Sequence, residues 1–169
     1  MNITAALQID GYMEEAELSY LAALAGRRRR IVEVGSYKGR SLRAMADGSS
    51  AVLYAVDTWE QLGGRDDFNV NLASYLGERV FPVTMSSLCA AKMFHTLGAK
   101  FDMIFIDADH SYEAVRDDIL HWSPLLAEGG ILCGHDYQDP FPGVKKAVDE
   151  LVPQFRVIGR TIWTTEVEL

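Results

Sequence analysis

The chain has 169 residues, two cysteines and a net charge of −8. That length suits one domain whose core needs no disulfide, and Cys89 and Cys133 lie in unrelated segments with no CxxC or Cys/His zinc spacing, which fits a reducing compartment. The acidic balance argues against nonspecific nucleic-acid binding, no apolar run reaches the roughly 18 residues of a membrane span, and no signal-like start is present, so a cytoplasmic protein is expected.

In chain order, Met13 to Ala25 reads as a helix, with Leu18, Leu21, Ala22, Leu24 and Ala25 forming an apolar stripe. The basic run Arg27 to Arg30 is expected to cover the end of that helix, where cations favour the dipole. Strands are predicted over 31–34, 52–56, 80–84, 101–106 and 131–134, and helices over 40–47, 66–77, 87–97, 112–126 and 143–152. Gly129-Gly130 separates the fourth of these helices from the fifth strand, and Phe155–Ile158 and Thr161–Thr165 read as a hairpin turning at Gly159-Arg160. Alternating strands and helices predict an α/β fold. It is a doubly wound, mostly parallel Rossmann-like sheet of about seven strands, ending in an antiparallel strand, with helices on both faces. Residues 1–169 read as a single domain with a short N-terminal helix and no separate lid domain.

The most informative segment is Ile31 to Ser41. A β-branched run ends at Glu33, and Gly35 and Gly39 follow before a helix start. Such a strand-to-helix turn is where open α/β sheets hold small ligands, with helix N–H groups available to an anion. A dinucleotide fingerprint needs a second glycine where Tyr37 stands, so a pyrophosphate would meet a side chain. The pattern is instead Glu-x-Gly-Ser-x-x-Gly-x-Ser, from Glu33 through Gly35, Ser36 and Gly39 to Ser41. The second strand ends in Asp57, about 20 residues past Gly35, where a carboxylate accepts ribose hydroxyls in nucleoside-binding folds. Thr58 and Trp59 follow; Trp59 reads either as a wall against ribose or adenine or as a half-buried loop aromatic.

The first motif resembles that of class I S-adenosylmethionine-dependent methyltransferases, in their catechol-type and sugar O-methyltransferase-like branches. The resemblance covers the chain from about residue 9 onward. It implies that Glu33 approaches the ammonium of the cofactor, and that Ser41 and helix-start N–H groups bind its carboxylate. It also places Ser86 near the adenine and folds the stretch Ile9 to Met13 over the cofactor. Ser86 reads equally as a helix cap, and Ile9 to Met13 as a plain staple and cap.

A second cluster follows strands four and five: Asp107-Ala-Asp109-His110-Ser-Tyr112 and His135-Asp136-Tyr137. Its carboxylates and imidazoles share the rim of Glu33 and Asp57, and a divalent cation would relieve their repulsion. In the family resembled, acids at Asp107 and Asp136 bind the metal, and a histidine at His110 is the candidate general base. Asp107 is therefore expected to serve cofactor, metal and catalysis together. His135 before Asp136 departs from the paired acid or amide of those relatives, and favours manganese over magnesium. The other reading makes Asp107 and Asp109 helix caps and His135-Asp136 a loop clasp. Phe141-Pro142-Gly143 is expected to start a helix beside the substrate opening.

The expected activity is O-methylation of a small molecule (a sugar, phenol or hydroxy acid), by S-adenosylmethionine, with magnesium or manganese assisting. Alternatives are an NAD-dependent oxidoreductase, disfavoured by Tyr37, and a non-catalytic cofactor-binding protein. The partners expected are a small-molecule acceptor and neither nucleic acid nor membrane, with a homodimer left open.

Overall fold

The computed structural model describes residues 2–60 and 64–166. A four-residue helix α1 (Thr4–Leu7) precedes α2 (Glu15–Ala25), β1 (Arg30–Val34), α3 (Arg40–Gly48), β2 (Val52–Asp57), α4 (Arg65–Asn71) and β3 (Val80–Thr84). Then come α5 (Ser87–Thr96), β4 (Phe101–Ile106), α6 (Tyr112–Trp122), β5 (Leu126–Gly134), α7 (Pro142–Leu151), β6 (Arg156–Ile158) and β7 (Ile162–Thr164). The seven strands form one sheet in the order β3-β2-β1-β4-β5-β7-β6. β1 to β5 pair in parallel, and β7 runs antiparallel to both β5 and β6.

Period-two patterning decides what each face buries. Ile31, Leu53, Met103 and Phe105 join α1 to α4 in one core. Val32, Val56, Ile104, Leu132 and Trp163 join α5 to α7 in the other. Both faces are covered, which is why the central strands read as unbroken apolar runs. The strand order reverses between β1 and β4, so the C-terminal ends of these neighbours open into a crevice. There Gly35, at φ 91°, passes so close to β4 that a Cβ would sit 2.0 Å from the Asp107 carbonyl oxygen.

Several expectations need correction. The helix predicted over 66–77 ends at Asn71, and Leu72 to Arg79 form successive turns with a bridge from Leu76 to Val80. The helix predicted to 126 stops at Trp122, since Pro124 cannot continue the α hydrogen bonding and a 3-10 turn takes over Ser123–Leu125. β5 begins at Leu126, with a register shift against β4 between Phe101 and Met103. The arginine run covers the end of α2 only through backbone, the Arg27 and Arg28 N–H groups binding the Leu24 and Ala25 carbonyls at 3.3 and 2.9 Å, while the side-chain and later contacts go elsewhere. Arg28 pairs with Glu166, the Arg29 and Arg30 N–H groups bind the Asp102 carboxylate at 2.8 and 3.0 Å, and the Arg30 guanidinium lies 5.3 Å from the Tyr54 and Phe101 ring centres. α2 starts later than expected, at a reciprocal cap between Glu14 and Glu17.

Candidate active site

Two cavities open along the C-terminal rim of the sheet, and Gly35, Tyr37, Asp107 and Ala108 line both. They form one cleft across the switch point, about 410 Å³ on the β2–β3 side and about 580 Å³ on the β4–β5 side.

The smaller half is organised by Asp57. Its Oδ2 accepts from the Ser36 and Tyr37 N–H groups at 3.0 and 2.8 Å, and Oδ1 accepts from Trp59 N–H at 2.7 Å. Tyr37 and Trp59 sit at φ 44° and 55°, a conformation that costs roughly 1–3 kcal/mol in a non-glycine residue. The three bonds to Asp57 hold both loops there. The Trp59 indole donates to the Tyr37 carbonyl at 2.7 Å, packs on Phe68 and lies 4.2 Å under the Arg65 guanidinium. The ring is therefore fixed by protein contacts while the residue borders the cavity. Thr58 and Ser86 line the same half; Ser86 precedes α5 without a side-chain capping bond. Among the described residues five aspartates and no lysine or arginine line this half, with the Arg65 guanidinium standing behind the Trp59 ring.

The floor differs from expectation. Glu33 does not line the cleft. It is fully buried, Ser41 Oγ donates to its Oε1 at 2.5 Å, and its Oε2 has no partner. Burial pushes its carboxyl up to about 8, so it stands neutral at pH 7 and offers no charge to an ammonium. Gly39 is also outside the lining: at φ 81°, its missing Cβ makes room for Leu72 and Phe68. Ser36 and Ser41 do line the larger half, and both hydroxyls lie against the Glu33 carboxyl.

The larger half brings Asp107, His110, His135 and Asp136 together. His110 Nε2 is 2.9 Å from Asp136 Oδ2 and 3.9 Å from Asp107 Oδ1. His135 Nδ1 is 3.2 Å from Asp136 Oδ2 and 3.7 Å from Asp107 Oδ1, and its Nε2 faces Glu17 Oε2 at 3.4 Å. Asp107 and Asp136 push His110 up to about 9. Burial would pull His135 down, but Asp136 and Glu17 prevail and hold it up at about 10. Burial would likewise raise Asp136 and Glu17. The imidazoles outweigh it and keep Asp136 far below the usual carboxylate range, and His135 with the Thr161 hydroxyl keeps Glu17 at about 2. The cluster is thus a chain of alternating charges.

One donor atom each from Asp107, His110 and Asp136 lies within 4.8 Å of the others, a set that fits a divalent cation. The histidine in that set is His110 and not His135, and an ion there would displace the proton His110 shares with Asp136. Asp109 turns away to accept from Ser111 N–H at 2.7 Å and lines the smaller half.

Lys38, Arg40 and Glu17, which the sequence left unassigned, complete the wall together with the stretch before α2 and Phe141. Arg40 opens α3, and its guanidinium binds the carbonyls of Met13, Leu7 and Ile9, tying the N-terminal segment to the first motif. Lys38 pairs with Asp10 at 3.0 Å. Asp10 to Glu14 line the larger half, with Tyr12 89% exposed at its mouth. Phe141 lies against His110, ring centres 4.5 Å apart. The Glu14-x-x-Glu17 spacing is legible as a helix start. The second role of Glu17, binding His135 and Thr161, depends on β5 and the β6–β7 turn coming alongside α2.

A doubly wound sheet with a cleft across its switch point and a ribose-spaced acid defines a nucleoside-cofactor class of α/β protein. A family model described as a methyltransferase domain matches residues 32–137, and the chain belongs to that family. The chain is 29% identical over 128 residues to an uncharacterized protein of Acanthamoeba polyphaga mimivirus, covering 72% of this chain. It spans 58% of the length of that relative. Among solved structures it is similar to an O-methyltransferase from Bacillus cereus in complex with SAH, at 19% identity and a TM-score of 0.74, covering 96% of this chain and 86% of that one. It is also similar to an SAH-bound Podospora anserina methyltransferase, at 17% identity and TM-score 0.68, covering 90% and 78%. A ribosomal protein methylase from Lactobacillus delbrueckii shares the fold at 19% identity and TM-score 0.64, covering 92% and 78%. At these identities the likeness is one of fold, shared by proteins with different acceptors. Among the described residues no helix is long and apolar enough to cross a membrane.

Proposed function

We propose that the chain, as a single domain, is an S-adenosylmethionine-dependent O-methyltransferase acting on a small molecule. The observation that carries this reading is the cleft itself, whose two ends have opposite chemistry. The end lined by five aspartates and, among the described residues, no lysine or arginine suits a neutral adenosine and repels a pyrophosphate, which disfavours NAD. The other end presents a histidine between two carboxylates.

In this reading Asp57 accepts from the ribose, Thr58, Trp59 and Ser86 border the adenosine, and Gly35, Ser36 and Ser41 border the methionine end. Glu33 acts from below, orienting Ser41. When bound, the cofactor supplies an electrophilic methyl group. The residues of this chain align the acceptor and take up its proton, and alignment can contribute roughly 7–11 kcal/mol at the limit. His110 is the candidate general base: Asp136 holds its Nε2 at 2.9 Å and, with Asp107, raises it to about 9, so it takes the acceptor's proton only in the fraction that has lost its own, which grows toward alkaline pH. Asp107, His110 and Asp136 would alternatively hold a divalent cation, His110 then serving as a ligand and not as the base, and manganese more readily than magnesium because of the imidazole. Such an ion would supply positive charge for an acceptor oxygen.

Native mass spectrometry with S-adenosylmethionine, S-adenosylhomocysteine and NAD tests the cofactor. The first two are expected to bind and NAD is not; tight NAD binding would overturn the reading. Melting curves with magnesium, manganese or chelator test the ion. A rise on adding manganese that Asp136→Ala abolishes supports it, and no response to any of the three removes the metal from the proposal.

A further inference from the structure

The adenosine half of the cleft holds one acid that no turn or motif accounts for. Asp118 lies in the middle of α6, on the face that carries Val115, Ile119 and Trp122 into the core. It is 4% exposed, yet it lines the cavity beside Ser87 and Ala114. An ionisable group in such a place is costly unless it is hydrogen-bonded.

Only one of its oxygens is so used. Ser87 Oγ donates to Asp118 Oδ1, and the same hydroxyl accepts from Trp122 Nε1 at 2.8 Å. An indole N–H can only donate, so the hydroxyl must give its own proton to Asp118. Oδ1 is thereby fixed as an acceptor, and Oδ2 has no hydrogen bond among the described residues. Burial pushes the carboxyl up to about 6, which leaves it ionised at neutral pH. The second oxygen of this nearly enclosed carboxylate opens on the cavity, where it is free to accept a donor from a ligand.

We propose that Asp118 recognises the exocyclic amino group of the adenine, accepting its N–H at Oδ2, and so sets the base specificity of the site. The inference rests on the adenosyl cofactor lying in this cleft. Within it the donors divide by position: the ribose hydroxyls fall to Asp57 at the end of β2, while Asp118 comes from α6 beside the start of α5. The amino group is a neutral donor, which a cavity lined, among the described residues, by five aspartates and no lysine or arginine accommodates.

Calorimetry with S-adenosylhomocysteine and its 6-deamino analogue, in which purine replaces adenine, tests this. The wild type is expected to prefer the amino compound by about tenfold or more. In Asp118→Asn, Ser87 holds the amide carbonyl in the place of Oδ1, so an NH2 faces the amino group and the preference is lost or inverted. Asp118→Ala brings the ratio near one. An equal affinity of the wild type for both compounds, or an unchanged preference in a folded variant, overturns the assignment. Binding of neither compound to the wild type overturns the cofactor reading itself, a result distinct from equal binding of both.

Discussion

The two halves of the cleft are built in different ways. The smaller half rests on strand ends, the loops that follow them and facing residues of α5 and α6, and one residue, Asp57, organises its loops through three backbone N–H groups. The larger half draws on the N-terminal segment, α2, the loops after β1, β4 and β5, and the β6–β7 turn. Its charges are set by one another: His110, His135, Asp136 and Glu17 each titrate far from their ordinary values because of the rest. A half built by backbone geometry should lose function in proportion to the single bond removed. A half built by coupled charges should fail as a unit.

His110→Ala puts that contrast to its hardest test. Methyl transfer is expected to fall about 10²–10⁴-fold, as for loss of a general base, with a much smaller change in S-adenosylhomocysteine affinity, since His110 lies outside the half assigned to the adenosine. A parallel loss of binding, seen by calorimetry, would merge the halves.

The shared seam comes next. In Gly35→Ala the new methyl would lie 2.0 Å from the Asp107 carbonyl oxygen at a φ that disfavours any side chain. The expected destabilisation is about 3 kcal/mol or more in denaturant melts. A fully stable variant would mean that β1 and β4 can part there.

Asp57→Ala should weaken S-adenosylhomocysteine binding by roughly 1–3 kcal/mol, through the ribose contact and the loosened Ser36–Tyr37 turn. Equal affinity would take Asp57 out of the site.

A smaller effect separates Glu33 from the charges above it. Its pKa rises from 4.5 to about 8 on folding. The folded state therefore holds a proton that the unfolded chain has released, and the stability this gives is lost as pH rises toward 8. Between pH 6 and 8 the slope should be about −1.4 kcal/mol per pH unit from this group. His110 and His135, also raised, add losses that continue to about pH 9–10. Glu33→Gln should remove this group's share of the slope, most visibly between about pH 5 and 6.5 where the histidines are protonated in both states, and leave the loss above pH 8. An unaltered slope between pH 6 and 8 would mean that Glu33 is ionised in the fold.

Tyr12→Ala should be the mildest. The side chain is 89% exposed, so stability should change by less than about 0.5 kcal/mol. Any effect should appear in the KM of the acceptor, since Tyr12 borders only the larger half.

The contrast also explains what could be read from the chain. Strands β1 to β5 and the closing hairpin follow from local apolar runs and turn residues. Asp57 is legible because its distance from Gly35 along the chain is set by one helix and one strand. The motif Glu33 to Ser41 located the cleft but not the duty of each member. Glu33 and Gly39 turn out to serve the floor and the packing of α4, because alternation along β1 sends Glu33 to the same face as Ile31, into the core with α3. Spacing alone could not decide which histidine joins Asp107 and Asp136, since His110 and His135 follow different strands and meet only where β4 and β5 pair.

The sequence by itself determined the architecture, the rim that carries the chemistry and the kind of cofactor, because each is written in short-range spacing along single elements. Tertiary structure decided the roles of Glu17, Arg40 and Asp118. Their partners lie on other elements, and burial and charge coupling, which set what a titratable group can do, arise only when those elements meet.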